Sequence, residues 1–178
     1  MRLQLPFLVL ALVASQFAFA HGNEKHTPSA MKPGRDSSAA QLTVDPAAAE
    51  AIAVVERFSA ALGSGDLPAA TAELDPAVLI LESGGAEHSR DEYLGGHAKS
   101  DAEFLKNAQV TLKRRTAQAA GDLAWVGSES EIHAMKGADM LMISSSETMV
   151  LRKTAKGWKI VHIHWSSRKA APTAAHSS

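Results

Sequence analysis

Hydrophobic residues change their spacing once along the chain, near residue 108. Before that point they recur every three or four positions, as between Ile52 and Leu62, which predicts helices with one buried face. After it, four long segments alternate apolar and polar residues. This period of two predicts strands, which short turns separate at Gly121-Asp122, Lys136-Gly137 and Lys156-Gly157.

Capping residues indicate where the helices begin. Asp45 before Pro46 predicts the start of a first helix, and Asp66 predicts the start of a short second one. Ser89 with Glu92 three positions later matches a capping box, so a third helix should run to about Asn107. A short apolar strand at residues 77–83 precedes this third helix.

Helices that come first and strands that come last define the fold class. Consecutive strands with short turns pair antiparallel, and helices then cover one face of the sheet. We therefore expect an α+β fold, a cone of three N-terminal helices packed on a strongly curved, mainly antiparallel sheet.

The ends of the chain differ from this middle. Residues 1–20 have a basic Arg2, an apolar run and the pair Ala18 and Ala20, which is typical of a secretory signal peptide. Residues 21–43 and 169–178 are polar or small and are expected to be flexible tails. One domain should therefore span residues 44–168, in a protein that is periplasmic or secreted and has no membrane segment after signal cleavage.

Composition narrows the possible chemistry. The 18 basic and 19 acidic residues are nearly balanced, which argues against nucleic acid as a partner. There are no cysteines, so thiol catalysis, thiolate metal sites and disulfides are excluded. The fold must then depend on its hydrophobic core.

The order of elements resembles the nuclear transport factor 2-like superfamily, which includes ketosteroid isomerases and SnoaL-like cyclases. The last hairpin is also similar to the association domain of calcium/calmodulin-dependent protein kinase, which has an acidic-Thr strand, a Gly-x-Trp turn and a V-H-x-H-x-S strand. The residues that carry this second match are Glu147, Thr148, Trp158, Val161, His162, His164 and Ser166. The resemblance implies the fold, a ligand pocket between sheet and helices, and a homodimer through the sheet.

Two differences limit what the resemblance implies about activity. An association domain has an arginine after the acidic-Thr pair, where this chain has Met149. A ketosteroid isomerase needs an aspartate base and a Tyr/Asp pair, and the only tyrosine here is Tyr93.

The last strand supplies the first candidate site residues. Strict alternation places Trp158, His162, His164 and Ser166 on one face, which we expect to line the pocket. Val161, Ile163 and Trp165 would then form the opposite, dimer-forming face, together with the Met-rich strand at residues 140–143. Glu129, Glu131 and His133 are expected on an outward polar face.

Other polar residues should converge on the same pocket. His97 and Asp101 lie one helical turn apart, where a carboxylate can orient an imidazole and raise its pKa. The predicted catalytic residues are His162, His164, His97 and Asp101. The predicted ligand-binding residues are Glu82, Tyr93, Trp158 and Ser166.

Three functions fit this set. The first is an exported protein that binds a small molecule in a His/carboxylate pocket without a cofactor, with isomerase-like or cyclase-like acid–base chemistry. The second is a Zn or Cu site built from His162, His164, His97 and a carboxylate. The third is a dimerisation module without catalysis.

Overall fold

The computed structural model describes residues 39–137 and 139–170. The predicted signal peptide, residues 21–38 of the predicted N-terminal tail and residues 171–178 lie outside the described residues. Among the described residues, helices come first and a long antiparallel meander follows, so the α+β prediction is confirmed. Within this range, no helix has the length and hydrophobicity required to cross a membrane.

Four helices and seven strands make up the described fold. The helices are α1 (Ala49–Ser64), α2 (Leu67–Glu73), α3 (Arg90–Gly95) and α4 (Ala98–Lys106). The strands are β1 (Gln41–Val44), β2 (Leu74–Glu82), β3 (Gly85–Glu87), β4 (Gln109–Ala120), β5 (Leu123–Lys136), β6 (Asp139–Thr154) and β7 (Gly157–Lys169). They form one sheet in the order β1-β4-β5-β6-β7-β2-β3, parallel only at β1–β4 and β2–β7.

The predicted caps begin the helices. Asp45 accepts a hydrogen bond from the Ala47 amide and starts a 3₁₀ turn that leads into α1. Asp66 caps α2, and Ser89 caps α3 through the Glu92 amide. The Glu92 carboxylate reaches back to the amide of His88, one residue before the position expected in a capping box.

The predicted third helix is two helices. At Gly96 the backbone leaves the helical range, with φ of −119° and ψ of −103°, and α4 starts from His97. The prediction of one continuous helix to Asn107 was therefore wrong in this respect. The break sets α3 and α4 as separate segments, which allows Tyr93 and Asp101 to contact each other directly.

The predicted N-terminal tail also ends earlier than expected. Gln41–Val44 forms strand β1, which pairs in parallel with Arg114–Ala117 of β4. Thr43 and Val44 favour a strand, but four residues are too short a segment for a clear sequence signal, and the edge of a sheet, with unpaired backbone groups, provides the partner.

A β-bulge in β7 reverses the face assignment that simple alternation predicts. Leu151 pairs with Ile160 and Val150 pairs with His162, so Val161 is an extra residue without a cross-strand partner. Trp158 and Ile160 therefore share the helix-covered inner face with Ile163 and Trp165, not with the histidines. His162, His164 and Ser166 lie on the outer face, and their predicted place in the pocket was wrong.

The inner face holds the core. Ile160, Ile163 and Met149 are fully buried against Val55 and Phe58 of α1. On the outer face, the ring Nδ1 of His162 lies 2.9 Å from the carbonyl oxygen of Leu79. His164 and Ser166 are exposed there.

The bulge predicts unequal costs for neighbouring truncations in β7. Ile163→Ala removes a fully buried side chain and should lower the free energy of unfolding by about 2–5 kcal/mol. His164→Ala, one residue away on the outer face, should change it by no more than about 0.5 kcal/mol. Urea denaturation measures both values, and equal costs would contradict the face assignment.

Candidate functional site

A row of side chains crosses the inner face of the sheet from β4 to β2. Directly paired residues on adjacent strands share a face, so the register places these side chains side by side. The row consists of Arg115 on β4, Ser128 on β5, Glu147 on β6, Trp165 on β7 and Glu82 on β2. At about 4.8 Å per strand it spans roughly 20 Å.

Trp165 is the aromatic centre of this row. Its ring stacks on Phe58, with centroids 6.4 Å apart and an interplanar angle of 18°. It also packs at a tilt against Tyr93, at 6.2 Å. Its indole nitrogen donates a hydrogen bond of 2.9 Å to Glu147. Three contacts from different elements therefore hold this ring in one position.

Tyr93 and Asp101 form the first polar pair beside Trp165. The Tyr93 side chain is 1% exposed, and its hydroxyl donates to the Asp101 carboxylate at 2.9 Å. Burial, the Asp101 charge and this hydrogen bond raise the pKa of Tyr93. Burial also raises the pKa of Asp101, although the hydrogen bond from Tyr93 partly opposes this shift.

Glu87 and His97 form the second pair. Glu87 on β3 pairs across the ladder with Ile80, so its side chain is on the inner side, where it is 5% exposed. Its carboxylate contacts the Nδ1 of His97, whose side chain is 45% exposed. The predicted His97–Asp101 pair is therefore wrong, because each of these residues has a different partner.

Glu82 is close enough to both pairs to interact with their charges, but it has a different environment. It is half-buried at the end of β2, and no side-chain hydrogen bond or ion pair holds it within the described part of the chain. Burial is the main cause that raises the pKa of Glu82, and the nearby Asp101 charge adds to it. His97 acts in the opposite direction.

The other end of the row has its own polar group. Burial raises the pKa of Glu147, while the hydrogen bond from Trp165 lowers it. Arg115 donates from Nη1 to Glu56 of α1 at 2.8 Å. The buried Nε of Arg115 has no hydrogen-bond partner among the residues that the structure describes.

Four predicted site residues converge as expected, and four do not. Glu82, Tyr93, His97 and Asp101 come together, as the contacts and mutual electrostatic effects above establish. The other four are His162, His164 and Ser166, on the outer face, and Trp158. Trp158 is on the inner face but seven residues from Trp165, about 20 Å along the strand, where it donates to Glu50.

The predicted Zn or Cu set is not brought together either. His97 is on the inner side of the sheet, and His162 and His164 are on the outer side. No group of three or more His, Asp or Glu side chains within residues 39–137 and 139–170 has a geometry that could hold a metal ion.

Sequence reasoning missed Glu87, Trp165 and Glu147 as site residues. A signal for Glu87 was present, because the turn at Gly84-Gly85 predicts a hairpin in which Glu87 pairs with Ile80. Trp165 and Glu147 could have been found only with the bulge at Val161, which alternation alone does not predict.

Together these side chains form an acidic cluster, defined here as Glu82, Glu87, Tyr93, His97 and Asp101. Two of its members are held in fixed pairs with low exposure, Tyr93 and Glu87. Glu82 has a raised pKa and no fixed partner. Such an arrangement can bind a polar group of a ligand and can accept a proton from it or donate one to it.

Comparisons with solved structures agree with this fold. A proposed ketosteroid isomerase from Shewanella frigidimarina NCIMB 400 is 36% identical, with a TM-score of 0.65, over 71% of this chain and 100% of that one. The CaMKII hub of S. rosetta is 25% identical, with a TM-score of 0.60, over 67% of this chain and 95% of that one.

A more distant structure supports the fold alone. A proposed dehydratase of the NTF2-like family from Streptomyces avermitilis is 22% identical, with a TM-score of 0.60, over 70% of this chain and 97% of that one. The search of curated proteins found no match to this chain.

The family comparison covers the helices from within α1 and the whole meander. The SnoaL-like domain matches residues 52–170, which include every residue of the acidic cluster and of the inner-face row. The chain therefore belongs to the SnoaL-like domain family, within the NTF2-like fold.

Proposed function

We propose that this protein binds a small organic molecule at the acidic cluster and moves a proton on it, in the manner of an isomerase. The observation that carries the proposal is Glu82, a half-buried carboxyl with a raised pKa and no fixed partner, beside the Tyr93–Asp101 pair. A carboxyl with this environment is a suitable general base, because burial raises its pKa and so makes its ionised form a stronger proton acceptor.

In this proposal Asp101 helps to raise the pKa of the base, Glu82, and Tyr93 holds Asp101 in position. The charge of Asp101 makes the ionised form of Glu82 less favourable and so increases its proton affinity. Tyr93 fixes the Asp101 carboxylate through their hydrogen bond. Since Glu82 lies at the end of β2 and Asp101 lies in α4, regular secondary structure sets the distance between the two carboxyls.

Trp165 supports an apolar ligand body in this proposal. Trp165 pairs directly with Glu82 across the β2–β7 ladder, and an aromatic ring beside a carboxyl suits a molecule with a flat apolar part and a carbonyl group. The name of one relative, a proposed ketosteroid isomerase that is 36% identical, supports the same class of chemistry. Isomerisation of a β,γ-unsaturated ketosteroid removes a proton from the carbon next to the carbonyl and returns it to the far end of the double bond, which moves into conjugation with the carbonyl.

The histidines of β7 have no catalytic part in this proposal. His162 and His164 are on the face away from Glu82. Of the two, His162 is already in contact with the backbone of Leu79.

Glu82→Gln should abolish most of the proton transfer. With 5-androstene-3,17-dione as the probe, we expect kcat to fall by about 100-fold or more while KM changes little, because the amide keeps the shape and cannot accept the proton. The rise in enone absorbance measures the rate. A second assay follows α-proton exchange of small ketones in D₂O by NMR.

A matched control separates this effect from a general loss of charge. Glu103→Gln makes the same change at an exposed position of α4 and should leave both rates unchanged. Full activity of Glu82→Gln would contradict the assignment of the base. Failure of the wild-type protein to exchange a proton on any of these ketones would refute catalysis and leave ligand binding alone.

The raised pKa of Glu82 also predicts how stability changes with pH. The folded chain holds this proton to a higher pH than the unfolded chain, whose glutamate titrates near 4.5. Stability therefore falls as pH rises through the interval between the two values. Glu82→Gln should flatten this fall in urea denaturation series between pH 4 and 8. Glu103→Gln should retain it, and an unchanged slope in Glu82→Gln would be evidence against the raised pKa.

We also propose that the protein is exported and that two copies pair through the part of the outer face around Leu123 and Trp125, at the start of β5. The signal-like residues 1–20 support export, and the similarity to a hub domain supports assembly. Exposed Trp125 and Leu123 provide apolar area for pairing.

Export and pairing are tested separately. Mass spectrometry of protein from the periplasm should show His21 as the first residue. Light scattering should show a dimer, and a monodisperse monomer at micromolar concentration would refute pairing.

A further inference from the structure

Three methionines and a histidine occupy one corner of the outer face. In the β5–β6 ladder, Met135 pairs directly with Met140, and His133 pairs directly with Met142. Residues two apart on a strand share a face, so all four side chains project from the same side. Directly paired residues have Cβ atoms about 5 Å apart, and positions two apart along a strand are separated by about 7 Å. We call this set the Met corner.

Core packing does not explain the Met corner. Met135 and Met140 are 57% and 66% exposed, and Met142 and His133 are half-buried. Met149 on the inner face, by contrast, is fully buried. An exposed methionine does not contribute the stability that its burial would provide. Three of them on one face of a hairpin form a concentrated set of thioether groups.

The histidine of the Met corner is held in the way that metal ligands are held. Nε2 of His133 lies 2.5 Å from Oε1 of Glu131, two residues earlier on the same strand. Glu131 is itself held by Lys113, at 3.2 Å. A ring N–H bonded to a carboxylate fixes the tautomer, so the other nitrogen, Nδ1, carries the free lone pair. No hydrogen bond engages Nδ1 of His133 in the part of the chain that the structure describes.

We propose that the Met corner binds a soft monovalent metal ion, Cu(I), through the sulfur atoms of Met135, Met140 and Met142 and through Nδ1 of His133. Thioether sulfur is a soft ligand that selects Cu(I), whereas Zn favours thiolate, imidazole and carboxylate. The long, unbranched methionine side chains have three rotatable bonds, so they can close around an ion between two strands.

The Met corner is separate from the acidic cluster. Ala134, between His133 and Met135 on β5, is buried on the opposite face. The acidic cluster lies on the inner side at β2, β3, α3 and α4, three strands away in the sheet from β5. Binding at the Met corner therefore does not depend on the proposed isomerase function, and either can fail without the other.

The test measures Cu(I) held by the full, untagged chain. Protein is titrated with Cu(I) under anaerobic, reducing conditions in competition with a chromogenic chelator, bathocuproine disulfonate. We expect the triple variant Met135→Leu/Met140→Leu/Met142→Leu to bind one equivalent fewer than the wild type. Leucine keeps the apolar surface and removes only the sulfur, and equal stoichiometry in the two proteins would overturn the proposal.

A second measurement locates the ion. Ag(I), a redox-inert analogue, is added to protein labelled with ¹³C at the methionine methyl groups. The methyl signals of the three corner methionines should shift, whereas Met149, buried in the core, should not. A shift of the Met149 signal as large as those of the corner methionines, or shifts confined to methionines outside the corner, would overturn the assignment.

A variant of Glu131 tests the part of His133. Glu131→Gln, which keeps the strand but weakens the hydrogen bond to His133, should reduce Cu(I) affinity by about 10–100-fold.

Discussion

The β-bulge at Val161 is the feature on which the rest of the site depends. One extra residue in β7 allows Ile160 and Ile163 to face the helices although they are three positions apart. Without it, the side chains beyond Val161 would exchange faces, and the histidines would replace Ile163 and Trp165 in the core. The bulge is stable because the free energy gained by burying the large apolar side chains on both sides of Val161 exceeds the cost of leaving one residue unpaired.

A second irregularity, the break at Gly96, completes the acidic cluster. A continuous helix would keep Tyr93 and Asp101 eight residues apart along one axis, roughly 12 Å, which is too far for their hydrogen bond. With α3 and α4 as separate segments, the phenol reaches the carboxylate at 2.9 Å. The carboxyls of Glu82, Glu87 and Asp101 then share a small region of low exposure. Their mutual repulsion is reduced by the Tyr93 hydrogen bond and the His97 contact, and Glu82 retains a raised pKa.

Local sequence signals predicted the regular parts of this molecule, whereas the irregular parts follow from tertiary contacts. Capping at Asp45, Asp66 and Ser89 and the turns of the meander depend on residues close in the sequence, and these predictions were confirmed. Strand β1 depends on its pairing with β4, far along the chain, and the bulge at Val161 depends on the packing of Ile160 and Ile163 in the core with α1. The convergence of Glu82, Tyr93, His97 and Asp101 was predicted from topology. The individual pairs within the cluster were not, because they depend on the break at Gly96.

The same strands serve two faces with different chemistry, and this requires an exact register. Along β6, Met149 and Glu147 face the helices, while the intervening Thr148 and the more distant Met142 face outward. A slip of one residue would bury polar groups and expose the core, so it would be strongly disfavoured. The pairing of Lys136 with Asp139 at the end of the β5–β6 ladder and the pairing of Met149 with both Val126 and Ile163 fix the register from two directions. Residues on the outer face, including the Met corner, can therefore change without altering the acidic cluster, and this independence allows one sheet to carry two sites.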